Sequence, residues 1–346
     1  MIKTIYKKDS KGKIRSLKVE STEEGYLIQT SGLLDGKKTE HKKLVKQKNI
    51  GKANETSLSL QAHMEFGALV RKKLRKGYFE TELLAQTTEV ILPMLAKKIQ
   101  EVVIQFPCYI QPKLDGMRCI IKEKTPFSRE NIEITTVDHI MKNLPELNGT
   151  IIDGELYAHG LSFQANMKLL KKVRPDTSKL IKYWVYDLMS PKPFEERYAD
   201  LCALVQDSAT LVVVPSYACK DMDEVQSYHD QFIELGYEGS IVRHSDEGYV
   251  KTKRSSQLLK KKDFIDIALE IVDITPADAD PTQGVPWVDY EGIITKCGCK
   301  LSHEDRRDLL TNKNKYIGKT AEIRYFELTD KGGLRFPQFH GIRLDK

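Results

Sequence analysis

Two short apolar runs, Cys108-Tyr109-Ile110 and Cys119-Ile120-Ile121, flank the polar octet Gln111-Pro112-Lys113-Leu114-Asp115-Gly116-Met117-Arg118. Such runs read as buried strands, so the octet is a loop joining two core strands. This part of the chain is thereby committed to a sheet, with a lysine at a strand end. Partial desolvation and flanking cations there favour the neutral, nucleophilic amine. The Asp115 carboxylate lies two residues on, and Gly116 lets the backbone approach a ligand closely. Taken alone, K-x-D-G is equally a surface lysine in a hairpin turn.

Strand and helix signals alternate through residues 96–263. Glu155 lies inside the apolar strand 150–157, and Glu238 opens the strand 237–243. A lone buried carboxylate is costly, so each needs a partner, either a core arginine or a ligand. Residues 180–189 form a strand dense in aromatics, Tyr186 among them, which by themselves read as core packing. Lys260 and Lys262 close the segment and project to one face of a strand. They serve either as guards of a sheet edge or as two ammonium groups for one phosphate. Helices are expected at 137–144, 162–172, 194–205 and 222–235, and one strand at 211–217. After residue 264, five short strands and a helix at 302–310 fit a small, partly open OB-type barrel.

Of 55 Lys/Arg and 49 Asp/Glu, 19 and 9 fall in residues 1–80, leaving 36 against 40. The whole excess of basic charge is N-terminal, which implies a polyanion-facing module on a near-neutral body. Residues 1–95 read as three strands, then a helix capped by Ser57 or Ser59 with Leu60, Met64, Gly67, Ala68 and Leu74 on its inner side. Its basic end, Arg71 to Lys76, also suits a helix C-terminus with no ligand at all. The layout resembles a WGR domain, a DNA-end-binding module, although Thr30-Ser31-Gly32 stands where that family has Trp-Gly-Arg. No run approaches the ~18 apolar residues of a membrane span, and the start lacks a signal-peptide core. Six cysteines without zinc spacing fit a reducing compartment, so the protein is expected to be intracellular.

Lysine, two glutamates, an aromatic strand and a lysine pair, in this order, resemble the covalent nucleotidyltransferase superfamily, and within it the ATP-dependent DNA ligases of small viral or bacterial type. The resemblance spans roughly residues 90–346 and includes the terminal Arg343-Leu344-Asp345-Lys346. It implies an α+β, ATP-grasp-like nucleotidyltransferase domain at 96–263 and an OB-fold at 264–346; the family's N-terminal helical DNA-binding domain is absent, and the small α+β module at 1–95 occupies its place. By this resemblance Lys113 is the residue adenylylated, with Asp115 beside it in the catalytic loop. Gln111 reads the adenine edge and Tyr186 stacks on the base, replacing the core-packing reading. Arg118 and Arg129 contact ribose and the 5′-phosphate. Glu155 and Glu238 hold Mg²⁺, Lys260 and Lys262 meet the α-phosphate, and Arg343 and Lys346 orient the leaving pyrophosphate. ATP rather than NAD is the implied cofactor, and nicked duplex DNA the partner of a monomer. The alternatives are an RNA-capping guanylyltransferase, which shares the lysine and the OB domain, and a non-catalytic DNA-end-binding scaffold.

Overall fold

The structure is a computed structural model that describes residues 1–9, 11–88, 91–244, 247–251 and 254–343. At the N-terminus β1 (Ile2–Lys8), β2 (Ile14–Ser21), β3 (Tyr26–Leu33) and β4 (Lys38–Leu44) form an antiparallel meander in sequence order. Ile5, Leu17, Val19 and Leu27 bury against one face of helix α1 (Leu58–Arg75). Ser57 caps that helix, accepting the Leu60 N–H at 3.1 Å. Its buried stripe is Gln61, Ala62, Phe66 and Val70. This corrects part of the expected inner face: Leu60 and Met64 point to solvent, 49% and 55% exposed, while Leu74 packs against the core as expected. The aromatic Phe66 has far more area to bury than Gly67 or Ala68, and it sets the rotation of the helix. The meander has four strands where three were expected. Lys-Thr-Glu-His-Lys-Lys-Leu of β4 is exposed throughout and has no apolar alternation to reveal it; it is a sheet edge guarded by lysines. Helix α2 (Glu82–Thr87) leads out of the module.

The middle of the chain folds as two five-stranded sheets. One contains β5 (Leu95–Lys98), β6 (Cys108–Lys113), β12 (Tyr217–Cys219), β13 (Gly239–Arg243) and β14 (Arg254–Lys261), in the order β12-β6-β13-β14-β5. The other contains β7 (Met117–Lys122), β8 (Thr125–Ser128), β9 (Ile152–Tyr157), β10 (Lys182–Leu188) and β11 (Leu211–Val213), in the order β11-β10-β9-β7-β8. Strands β6 and β7 therefore belong to different sheets, and the Lys113 loop is a crossing between them rather than a hairpin turn. Gly116 makes the crossing possible, since a Cβ there would lie 2.4 Å from the Leu156 carbonyl oxygen and 2.9 Å from Glu155 Cγ. The expected single strand at 211–217 is two, β11 and β12, one in each sheet. Pro215 between them has no N–H to donate to a continuing ladder.

Helices α3 (Asp138–Met141), α4 (Phe163–Lys171), α5 (Phe194–Leu204) and α6 (Met222–Glu234) accompany the sheets. Helix α3 covers only part of the expected 137–144. A three-residue connection after β14 leads to β15 (Ile265–Pro276), whose two halves pair with different partners. Its first half pairs with β19 (Thr320–Tyr325) and its second with β16 (Gly284–Tyr290). With β17 (Ile293–Lys296), β18 (Gly298–Cys299) and β22 (Gln338–Ile342), the order is β17-β16-β15-β19-β22-β18. The hairpin β20 (Glu327–Leu328) and β21 (Leu334–Arg335) and helix α7 (His303–Thr311) complete the C-terminal OB-fold, its core built on Ile271, Val288, Ile323 and Phe339.

Candidate active site

Lys113 ends β6, where its backbone oxygen accepts the Glu238 N–H at 3.0 Å and its register partner is Gly239. Gly239 has φ +145°, and a Cβ would lie 2.3 Å from the Lys261 oxygen, so β13 and β14 meet closely at this point. The outcome is one carboxylate between two cations: Glu238, its side chain 4% exposed, forms ion pairs with both Lys113 and Lys262. Burial pushes the Lys113 amine down, with Arg335 and Arg118 adding to it and Glu155 and Asp115 opposing. Burial and then Lys113 push Lys262 down to about 8. Lys260 moves the same way, through burial and then Arg254.

The facing sheet supplies the opposite wall. Arg118 of β7 lies in register with Glu155 of β9, and the Tyr186 hydroxyl of β10 donates to Glu155 Oε2 at 3.5 Å. Burial raises the Glu155 carboxyl to about 7, against the pull of Lys113 and Arg118. Together Gln111, Lys113, Arg118, Arg129, Glu155, Tyr186, Lys260 and Lys262 line one cleft of about 280 Å³. Eight of the expected site residues thus meet, from sequence positions spread over 150 residues of chain.

Several of these groups are already engaged. Arg118 donates through Nε to fully buried Asp153 at 3.0 Å, which also binds the Tyr249 hydroxyl. The Gln111 amide donates to the Tyr186 carbonyl at 3.3 Å and accepts from Arg243 Nε at 2.8 Å. Asp115 is paired with Arg335 of the OB-fold, whose Nη2 donates to Asp115 Oδ1 at 3.0 Å. Arg335 also pairs with Glu327 and lies 4.5 Å over the Phe163 ring, so it clamps the OB-fold onto the Lys113 loop. Arg343 is exposed and donates its backbone N–H to Thr320 at 2.9 Å, outside the cleft lining. Lys346 lies outside the described residues. Among the described residues no three His, Cys, Asp or Glu side chains form a metal-binding group; Glu238 pairs with Lys113, and Glu155 acts on the same amine electrostatically.

Sequence reasoning missed Asp153, Asp187, Arg243 and Arg335. Asp187 carried the same signal as Glu155, an acid inside an apolar strand. Arg335 carried none, since its partner Asp115 is 220 residues away.

The raised Glu155 carboxyl has a consequence for stability. The folded state binds a proton that the unfolded chain has lost, so this group's contribution falls as pH rises from about 4.5 to about 7. Glu155→Gln is expected to flatten that fall and to raise the thermal midpoint more at pH 8 than at pH 5, as differential scanning fluorimetry across pH would record.

Comparison with known proteins gives two family matches, the ATP dependent DNA ligase domain over residues 93–262 and the DNA ligase OB-like domain over 284–343. The chain is 24% identical to the DNA ligase of Enterobacteria phage T4 over 290 residues, covering 63% of this chain and 59% of that protein. It is 27% identical over 335 residues to the DNA ligase of African swine fever virus (isolate Pig/Kenya/KEN-50/1950), covering 83% and 75%. A solved structure of a Lig E DNA ligase shares the fold with TM-score 0.64 and 21% identity, over 74% of this chain and 100% of that one. The chain spans about 59% of the length of the T4 relative.

Proposed function

The chain belongs to the ATP-dependent DNA ligase family, and on that premise we propose that it seals DNA nicks with 3′-hydroxyl and 5′-phosphate ends through a lysyl-AMP intermediate. One observation carries the reading: a lysine ion-paired with a buried glutamate, in a cleft that also holds a second glutamate, an aromatic ring and two further lysines. When Glu238 is drawn away from Lys113, burial and the nearby arginines favour the free amine. The amine attacks the α-phosphorus of ATP, the bond to pyrophosphate breaks, and the amine proton is lost. Lys260 and Lys262 face the phosphate charge, which is where electrostatic preorganisation counts most. A 5′-phosphate oxygen at the nick then attacks the AMP phosphorus, and the P–N bond breaks. Finally the 3′-hydroxyl attacks that 5′-phosphate, forming the phosphodiester and releasing AMP.

Glu155 and Glu238 would hold Mg²⁺, which supplies charge neutralisation at the phosphates; two carboxylates beside phosphate oxygens suit that ion. In this reading Gln111 and Tyr186 take the base, Arg118 and Arg129 the ribose and 5′-phosphate, and Arg343 and Lys346 the pyrophosphate. Asp115 and its Arg335 partner couple the loop to OB-domain position. Residues 96–263 and 264–346 form the two catalytic domains of a monomer working on DNA inside the cell. No helix among the described residues is long and apolar enough to cross a membrane.

Residues 1–95 supply part of the grip on DNA. The end of α1 reaches the rim of the site, where Lys76 pairs with Glu130 at 2.9 Å, next to Arg129 of the cleft. Arg71, Lys72 and Arg75 stand exposed beside that contact. Replacing all three by alanine is expected to reduce the slope of log affinity against log salt on nicked duplex by about 2–3, on the counterion-release rule of ~0.9 per phosphate contact. An unchanged slope would remove the module from the DNA interface.

Intact mass after Mg²⁺ with ATP, GTP or NAD in separate incubations tests the whole reading. An AMP adduct from ATP alone, discharged by nicked duplex, is expected. A GMP adduct would place the chain with capping enzymes, and no adduct from any nucleotide would leave a binding scaffold.

A further inference from the structure

Behind the cleft lies a polar network that the reaction does not use. His229 on α6 is fully buried, yet both ring nitrogens are engaged. Nδ1 lies 2.7 Å from the Ser240 hydroxyl of β13, and Nε2 lies 3.1 Å from Oδ2 of Asp263. Burial pushes the ring toward its neutral form, with Asp263 opposing and Lys261 reinforcing. A neutral ring with its proton on Nε2 satisfies every partner: it donates to Asp263 and accepts from Ser240.

The position of these groups gives the network its meaning. Ser240 is two residues beyond Glu238, and Asp263 is the residue after Lys262. The sheet ends at Lys261, and β15 starts at Ile265, so Lys262, Asp263 and Phe264 form the whole connection between the catalytic body and the OB-fold. An OB-fold that turns on this connection would drag Lys262 with it unless the chain is held in between. We propose that His229 is a positioning residue that pins Asp263 to the catalytic body. Lys262 then stays beside Glu238 and Lys113 while rotation is confined to the bonds around Phe264. Phe264 and Ile265 are 50% and 49% exposed, and the Phe264 ring meets Phe326 of the OB-fold edge-on at 6.1 Å, so it belongs with the side that turns. This inference rests on the ligase reading for its kinetic consequence and on geometry alone for the pinning.

The test uses the full chain with Asp263→Ala, which removes the acceptor, and Asp263→Asn, whose carbonyl still accepts from Nε2. The Asp263 side chain is 60% exposed, so neither change disturbs a core. Single-turnover formation of lysyl-AMP is expected to slow about tenfold in the alanine variant and to recover in the asparagine variant. Sealing of an already adenylylated nick should change less. Amide hydrogen exchange at 262–264 should accelerate in the alanine variant only, with an unaltered thermal midpoint. Exchange at 262–264 that matches wild type in the alanine variant would overturn the pinning. Faster exchange with unchanged lysyl-AMP formation would overturn the positioning role. If wild type itself forms no adduct, the ligase reading falls while the exchange result still decides the pinning.

Discussion

Lys113→Ala is expected to yield no covalent nucleotide adduct and to lose nick sealing from ATP by on the order of 10⁴-fold or more, the scale on which removal of a covalent nucleophile acts. The fold should survive the change. Glu238 loses one of its two ammonium partners but keeps Lys262, so no carboxylate is left buried without a counter-charge. The variant should still seal a nick that already carries AMP, because the last displacement forms no bond to lysine. Measuring both reactions separates loss of the nucleophile from collapse of the cleft. Sealing from ATP that persists in Lys113→Ala would remove Lys113 from the chemistry.

Asp187→Ala should produce the largest loss of stability. Asp187 is fully buried and is shared by two buried arginines: Arg197 donates to it at 2.8 and 3.2 Å, and Arg243 through Nη1. Its removal leaves two guanidinium groups, with side chains 2% and 4% exposed, without their counter-charge. Breaking a buried pair from one side costs about 3–5 kcal/mol, since the remaining charge stays desolvated. The urea midpoint of the catalytic domain reports this through Trp184 fluorescence in a Trp287→Phe background. A midpoint within error of the parent would mean that the two arginines find other partners. Even a variant that folds should bind ATP more weakly, because Arg243 also holds the Gln111 amide that lines the cleft.

The family was legible because its chemistry is written in short segments. Lys113, Glu155, Glu238 and Lys260 each sit in or beside an apolar run, so their places at strand ends and inside strands follow from local pattern. Ser57 as a cap and the helices around α5 and α6 follow from the same kind of signal. Less was legible where two local choices are close in energy. The face that α1 buries depended on the competition between Leu60 and Met64 on one side and Phe66 and Val70 on the other. Strand β4, polar at nearly every position, carries no burial signal because the edge it forms is solvated.

The sequence alone thus determined the family and the order of the charged groups that line the cleft with Lys113, both of which rest on neighbours within a strand or a helix turn. Tertiary structure decided which charges meet. Arg118 is held by Asp153, Arg243 and Arg197 share Asp187, and Arg335 reaches Asp115 from another domain. A guanidinium has no local preference among distant carboxylates. Its partner is settled only when packing removes both from water and makes an unpaired charge too costly to keep.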